Sequence, residues 1–114
     1  MLSKENRLKN TKEIELVFKK GKGFKAGFLF LKLVRNDLKT SRFAFVVSKK
    51  AVPKATDRNR IKRRLRDIVR RNAARIKAGF DLVIIVQKGI ERVKFQKIKE
   101  DAEEIFKKAN LWDF

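Results

Sequence analysis

The chain contains no histidine and no cysteine. Those two absences remove the commonest general base, the commonest metal ligands and the thiol nucleophile, and they exclude a disulfide framework. Tyrosine is also missing, proline occurs once, at Pro53, and the serines are Ser3, Ser41 and Ser48, none with a base in an obvious partner motif. No P-loop and no Gly-x-Gly-x-x-Gly fingerprint occurs. Long apolar runs are absent too. None is longer than that at residues 82–86, far short of the roughly 20 residues that span a bilayer. Residues 1–7 hold no apolar core of a signal peptide, and a cysteine-free chain suits a reducing cytoplasm, the expected location.

Acids are scarce. Thirteen Asp and Glu face 32 Lys and Arg in 114 residues, for a net charge of +19. Such an imbalance calls for a polyanionic partner: nucleic acid, or less readily an anionic membrane. The 43% hydrophobic content and ten phenylalanines are those of a globular domain, and the length suits one domain, residues 1–114, with a modest core.

The strongest feature lies at residues 55–71. Ile61, Leu65, Ile68, Val69 and Ile76 recur at helical spacing and form one apolar stripe. Asp57 is a suitable N-cap. At 100° per residue, Asn59, Arg63, Arg66 and Arg70 fall opposite the stripe, with Lys62 on one flank and Arg60, Arg64 and Arg71 on the other. The pairs Arg58/Lys62, Arg60/Arg64, Lys62/Arg66, Arg66/Arg70 and Arg71/Arg75 set like charges at i,i+4, and only Arg63/Asp67 and Asp67/Arg71 offset them. The net penalty is roughly 1 kcal/mol. A helix that only needed a solvated face would mix its signs; this one is built to meet a polyanion.

Around it, Asn10 or Thr11 caps a short helix to about Lys20, with Glu13 placed for a capping box; Ile14, Val17 and Phe18 form its face. Residues 1–9 read as a loose arm. Residues 24–34 alternate, with Phe28, Phe30, Lys32 and Val34 on one side and Leu29, Leu31 and Leu33 on the core side. A turn at residues 35–41 and a second strand at 43–47 suggest an antiparallel hairpin. Gly79 ends the basic helix, residues 80–86 form a central strand apolar on both faces, and residues 91–109 form a last helix. Leu111, Trp112 and Phe114 dock or fray. The order is α-β-β-α-β-α, an α+β sandwich with helices on one face of the sheet.

The acids Glu100, Asp101, Glu103 and Glu104 could ligate Mg²⁺, but the neighbouring Lys97, Lys99, Lys107 and Lys108 make a solvated, paired face the simpler reading. Phe18, Phe28 and Phe30 are open both to base stacking, with Lys32 on the backbone, and to core packing.

At residues 58–63 the sequence, Arg-Asn-Arg-Ile-Lys-Arg, resembles the protein subunit of bacterial ribonuclease P. The signature comprises Ala55, Arg58, Asn59, Arg60, Ile61, Lys62, Arg63 and Arg66; residues 6–9, 17–19, 47–50 and 80–83 also match. The resemblance covers nearly the whole chain. It implies a mixed sheet with a left-handed β-α-β crossover, against the general right-handed rule. It also implies that the catalytic group is the partner RNA, with Mg²⁺ held mainly by that RNA and no active site in the protein. Arg58, Asn59, Arg60, Lys62, Arg63 and Arg66 would then lie on the catalytic RNA, near its metal ions, flanked by Lys49 and Lys50, with Arg70 continuing the face. Ile14, Phe18, Phe30 and Lys32 would line a cleft for the 5′ leader of precursor tRNA. Position 32 often carries an aromatic residue in that family, so Lys32 favours a backbone contact. The implied assembly is a monomeric protein in a one-to-one complex with the RNA, without membrane or DNA. A ribosomal or assembly protein would use the same basic helix without needing a cleft, and a membrane-surface protein or an autonomous metal nuclease are further alternatives.

Overall fold

The structure is a computed structural model and describes residues 4–112; Met1 and Phe114, which the sequence placed in a loose arm and a terminal apolar cluster, lie outside the described residues. Helix α1 spans Thr11–Lys20. Strand β1, Lys22–Ala26, and strand β2, Leu29–Arg35, follow. Then come β3, Arg42–Val46, the basic helix α2, Ala55–Asn72, strand β4, Phe80–Val86, and helix α3, Phe95–Lys108.

The sheet runs β1-β2-β4-β3. β2 pairs antiparallel with β1 and with β4, while β3 pairs parallel with β4, so the sheet is mixed. The expected hairpin between residues 24–34 and 43–47 is therefore corrected twice. The first stretch folds on itself at Gly27, which has φ +54°, and contributes two strands. The second stretch does not pair with it, because β4 lies between them. β4 takes the centre because it is apolar on both faces: Leu82 and Ile84 on one, Val83 on the other, all essentially inaccessible to solvent.

Both faces of the sheet carry helices, which corrects the one-sided arrangement. Leu29, Leu31, Phe43, Leu82, Ile84 and Val86 pack with Ile61, Leu65, Ile68 and Val69 of α2 and Ile98, Ala102, Ile105 and Phe106 of α3. Each such side chain contributes about 1.5–3 kcal/mol when fully buried. On the other face Ile14, Val17 and Phe18 of α1 pack with Val34, Ala44, Val46, Val83, Ile85 and the buried Leu8. Phe28 belongs to the turn and packs with the larger core, not on the Phe30 side.

Several local boundaries also move. Asn10 caps α1, accepting from the amides of Lys12 and Glu13, but the Glu13 carboxylate turns to Arg42 instead of closing a capping box. α2 begins two residues before Asp57, after Lys54. Asp57 is thus a first-turn acid that pairs with Arg60 at 3.2 Å. The helix ends at Asn72, well before Gly79, and a 3-10 turn at Ala73–Arg75 follows. Ile76 then leaves the helical stripe and bridges to Trp112, which docks edge-on against Phe106. The last helix starts at Phe95, after a separate 3-10 turn at Ile90–Arg92. The arm is docked from Lys4 onward: Arg7 bridges to Phe43, and the Leu8 amide donates to the Phe43 carbonyl at 2.8 Å.

Asp101 departs most from the solvated acidic face. It is 1% exposed, pairs with Lys97 at 2.8 Å and accepts from the Phe28 amide at 3.0 Å. It therefore caps the β1–β2 turn from α3. A Cβ on Gly27 would fall 2.3 Å from its carboxylate, which adds a steric reason for glycine to the positive φ.

Candidate nucleic-acid interface

The apolar stripe of α2 faces the core, so its opposite side must face solvent. Asn59, Arg63, Arg66 and Arg70 are exposed there, as the spacing predicted. Asn59, Lys62, Arg63 and Arg66 line one shallow depression, with Asp67 at its edge. Lys62, Arg63 and Arg66 form no ion pair among the described residues. Arg70 differs: it pairs with Asp67 at 2.8 Å, and Arg71 takes the other carboxylate oxygen at 2.9 Å. The hydrogen bond from Arg70, helped by Arg71, holds the Asp67 carboxyl below its ordinary pKa. The positive field of α2 is consequently strongest over residues 59–66 and weaker in its last turn.

The two arginines that flank Asn59 turn inward. Arg58 donates through Nη1 to the carbonyls of Val52 and Pro53, at 3.0 and 2.7 Å. Arg60 reaches Asp57 and, at 3.5 Å, the Glu91 carbonyl in the turn before α3. Its Nε and the Glu91 Oε2 atom are buried and have no hydrogen-bond partner among the described residues. Lys49 and Lys50 are exposed in the loop between β3 and α2.

A second groove adjoins the first. It lies along β3, the outer strand of the sheet, and encloses about 370 Å³. Leu8, Ile14, Phe43, Ala44 and Phe45 supply its apolar lining, and Arg7, Lys9, Lys62 and Arg66 its cations. Lys62 and Arg66 belong to both depressions, so one cationic wall runs from Asn59 on α2 to Ile14 on α1. An apolar lining among cations suits a single strand, whose bases stack or pack while its phosphates are neutralised.

The remaining predicted cleft residues sit elsewhere on α1 and β2. Phe18 is half-buried, and its carbonyl accepts from Lys32 Nζ at 2.7 Å. Lys32 thus neutralises the negative end of α1. Phe30 lies over Gly23, where a Cβ would come within 2.9 Å of its ring. Ile14 lines one groove with Lys62 and Arg66 of the basic helix, Phe18 meets Lys32, and Phe30, two residues before Lys32 on β2, lies opposite Ile85 of the face that α1 covers.

Arg7 and Lys9 were not singled out as site residues. Their signal was the alternation of two cations about Leu8, a strand pattern too short to stand out in an arm. The Arg42 cluster was also missed. Arg42 bridges Asp81, with Nε and Nη2 at 2.8 and 2.7 Å, and Glu13 at 2.6 Å, while Asn36 donates to the same Asp81. The hydrogen bonds that Arg42 donates to Asp81 and then to Glu13 raise its pKa further above its already high value. This cluster ties the first turn of α1 to β3 and β4.

A family model described as Ribonuclease P matches residues 2–110. The ribonuclease P protein component of Syntrophomonas wolfei is 39% identical over 112 residues, covering 98% of this chain and 93% of that protein. The solved structure of the RNase P protein from Thermotoga maritima superposes with a TM-score of 0.81 at 35% identity, over 90% of this chain and 96% of that one. The Staphylococcus aureus RNase P protein, at 23% identity, has the same fold, with a TM-score of 0.87 over 95% of this chain and 98% of that one.

Proposed function

The chain belongs to the ribonuclease P protein family, the protein subunit that works with the ribonuclease P RNA in tRNA 5′ maturation, and we propose that it holds that RNA on the outer face of α2 and the 5′ leader along α1. The observation that carries this reading is the continuous cationic wall through Lys62 and Arg66. On one side of it Asn59 and Arg63 meet the catalytic RNA, with Lys49 and Lys50 extending the contact. On the other side Ile14 and the β3 edge receive the leader, with Arg7, Lys9, Lys62 and Arg66 on its phosphates. Phe18 continues the path along α1, Lys32 secures the end of that helix, and Phe30 offers a ring at the β1 side.

The protein's role in this reading is affinity and charge neutralisation, with hydrolysis left to the RNA. Mg²⁺ belongs with the RNA phosphates. Of the acids on α3, Asp101 is already engaged by Lys97 and the Phe28 amide. Among the described residues no helix is long and apolar enough to cross a membrane, and a cysteine-free chain fits the cytoplasm. One protein binds one RNA through the outer face of α2.

Reconstitution tests the reading. The protein, a bacterial ribonuclease P RNA and a 5′-extended precursor tRNA are combined at low millimolar Mg²⁺. The expected result is leader release much faster than with RNA alone, and a lowered affinity of the Ile14→Ala complex for precursor tRNA that disappears for mature tRNA, which has no leader. Equal loss of affinity for mature tRNA would remove the leader from the groove.

A further inference from the structure

The loop that joins β3 to α2 carries Lys49 and Lys50 and has no regular secondary structure of its own. Two contacts close it. On the strand side, Ser48 accepts from the amide of Val52 through its carbonyl, at 2.9 Å, and from the amide of Ala51 through its hydroxyl, at 3.2 Å. On the helix side, Arg58 reaches back and donates to the carbonyls of Val52 and Pro53. Val52 is fully buried beneath them. The turn is thus anchored at its apolar base, while Lys49 and Lys50 remain exposed and without an ion pair among the described residues.

The placement of Arg58 has a local cause. The cap residue of α2, Lys54, offers no side-chain acceptor, and Pro53 has no amide to donate. The entry to the helix is therefore rich in carbonyls and short of donors. A guanidinium has donors on three nitrogens and can take two carbonyls from one of them. Arg58 supplies them from the first turn of the same helix, against the dipole penalty for a cation at that position.

We propose that Arg58 is a positioning residue: it clamps the 48–54 loop to α2 so that Lys49 and Lys50 stand beside Asn59 and Arg63, and its contribution to RNA affinity passes through those two lysines. This rests on the reading of the α2 outer face as the RNA surface. A residue acting through others gives a non-additive mutant cycle, whereas a phosphate contact of its own adds to theirs.

The test is a cycle on the binding of ribonuclease P RNA across a salt series. Four proteins are compared: the parent, Arg58→Ala, the pair Lys49→Ala/Lys50→Ala, and the triple variant. The lysine pair is expected to weaken binding about tenfold or more and to lower the salt slope by about two. Arg58→Ala alone is expected to weaken binding, but adding it to the lysine pair should change the affinity less than about twofold and leave the slope unchanged. Hydrogen exchange supplies the structural readout: the Val52 amide should exchange faster in Arg58→Ala while the α2 amides keep their protection. If Arg58→Ala does not fold, Ser48→Ala loosens the same turn from its other end and should show the same dependence on the lysines. A further loss of about one slope unit in the triple variant would overturn the proposal, as direct phosphate contact. An effect of Arg63→Ala without any effect of the lysine pair would also overturn it while leaving the RNA surface on α2. Loss of neither would instead remove that surface.

Discussion

Arg42 and Arg63 carry the same charge and stand in opposite surroundings. Arg42 lies between Asp81, Glu13 and the base of α1, with its side chain 20% exposed. Arg63 stands on the outside of α2 among other cations and makes no ion pair among the described residues. The difference lies in what holds each side chain. A half-buried guanidinium needs partners to offset its desolvation, so Arg42 contributes to stability and cannot meet RNA. An exposed one keeps its hydration and its field, so Arg63 adds little to the fold and is free to take a phosphate. α2 contains both kinds: Arg58 and Arg60 turn toward the body, and Lys62, Arg63 and Arg66 turn away.

The largest test of that contrast is Arg42→Ala. It removes the charge partner of Asp81, whose side chain is 8% exposed and keeps only the neutral Asn36 donor among the described residues, and should destabilise the fold by about 3 kcal/mol in urea unfolding. A loss under about 1 kcal/mol would place Arg42 with the surface cations. Next comes the other buried carboxylate. Gly27→Ala demands φ +54° of an alanine and drives its Cβ onto Asp101. A loss of roughly 2 kcal/mol is expected, read as a lowered midpoint, with RNA affinity preserved below the transition.

The outer face should behave in the reverse way. Arg63→Ala and Arg66→Ala should each lower RNA affinity and reduce the salt slope by about one, while stability stays within about 0.5 kcal/mol of the parent. Stability losses like that of Arg42→Ala would erase the distinction.

Asp67 gives the smallest effect, because it sits between the two classes. Its folded-state pKa is lowered, chiefly by the hydrogen bond from Arg70. Its ion pairs therefore stabilise the fold at pH above the ordinary carboxylate value of about 4, and that contribution is lost as pH falls through the lower folded value. Asp67→Asn releases Arg70 and Arg71, so RNA binding at neutral pH should tighten slightly and become steeper with salt. Weaker binding would show that Asp67 orients those arginines for contact instead of screening them.

The sequence alone was enough for the amphipathic plan of α2 and the exposure of Asn59, Arg63 and Arg66, because both follow from a local period of 3.6 residues. The central position of β4 was legible for a similar reason: a strand apolar on both faces has to be covered on both. What it did not reveal was partnership between distant segments. That β3 pairs parallel with β4 and not with β2, that α1 covers the second face, and that Asp101 caps a turn more than seventy residues earlier depend on contacts whose sequence separation leaves no local trace. The same holds for the inward turn of Arg58 and Arg60. Spacing fixes the direction in which a Cα–Cβ bond leaves a helix, but a long side chain goes where its donors find acceptors, and only the tertiary structure decides which carbonyls and carboxylates lie within reach.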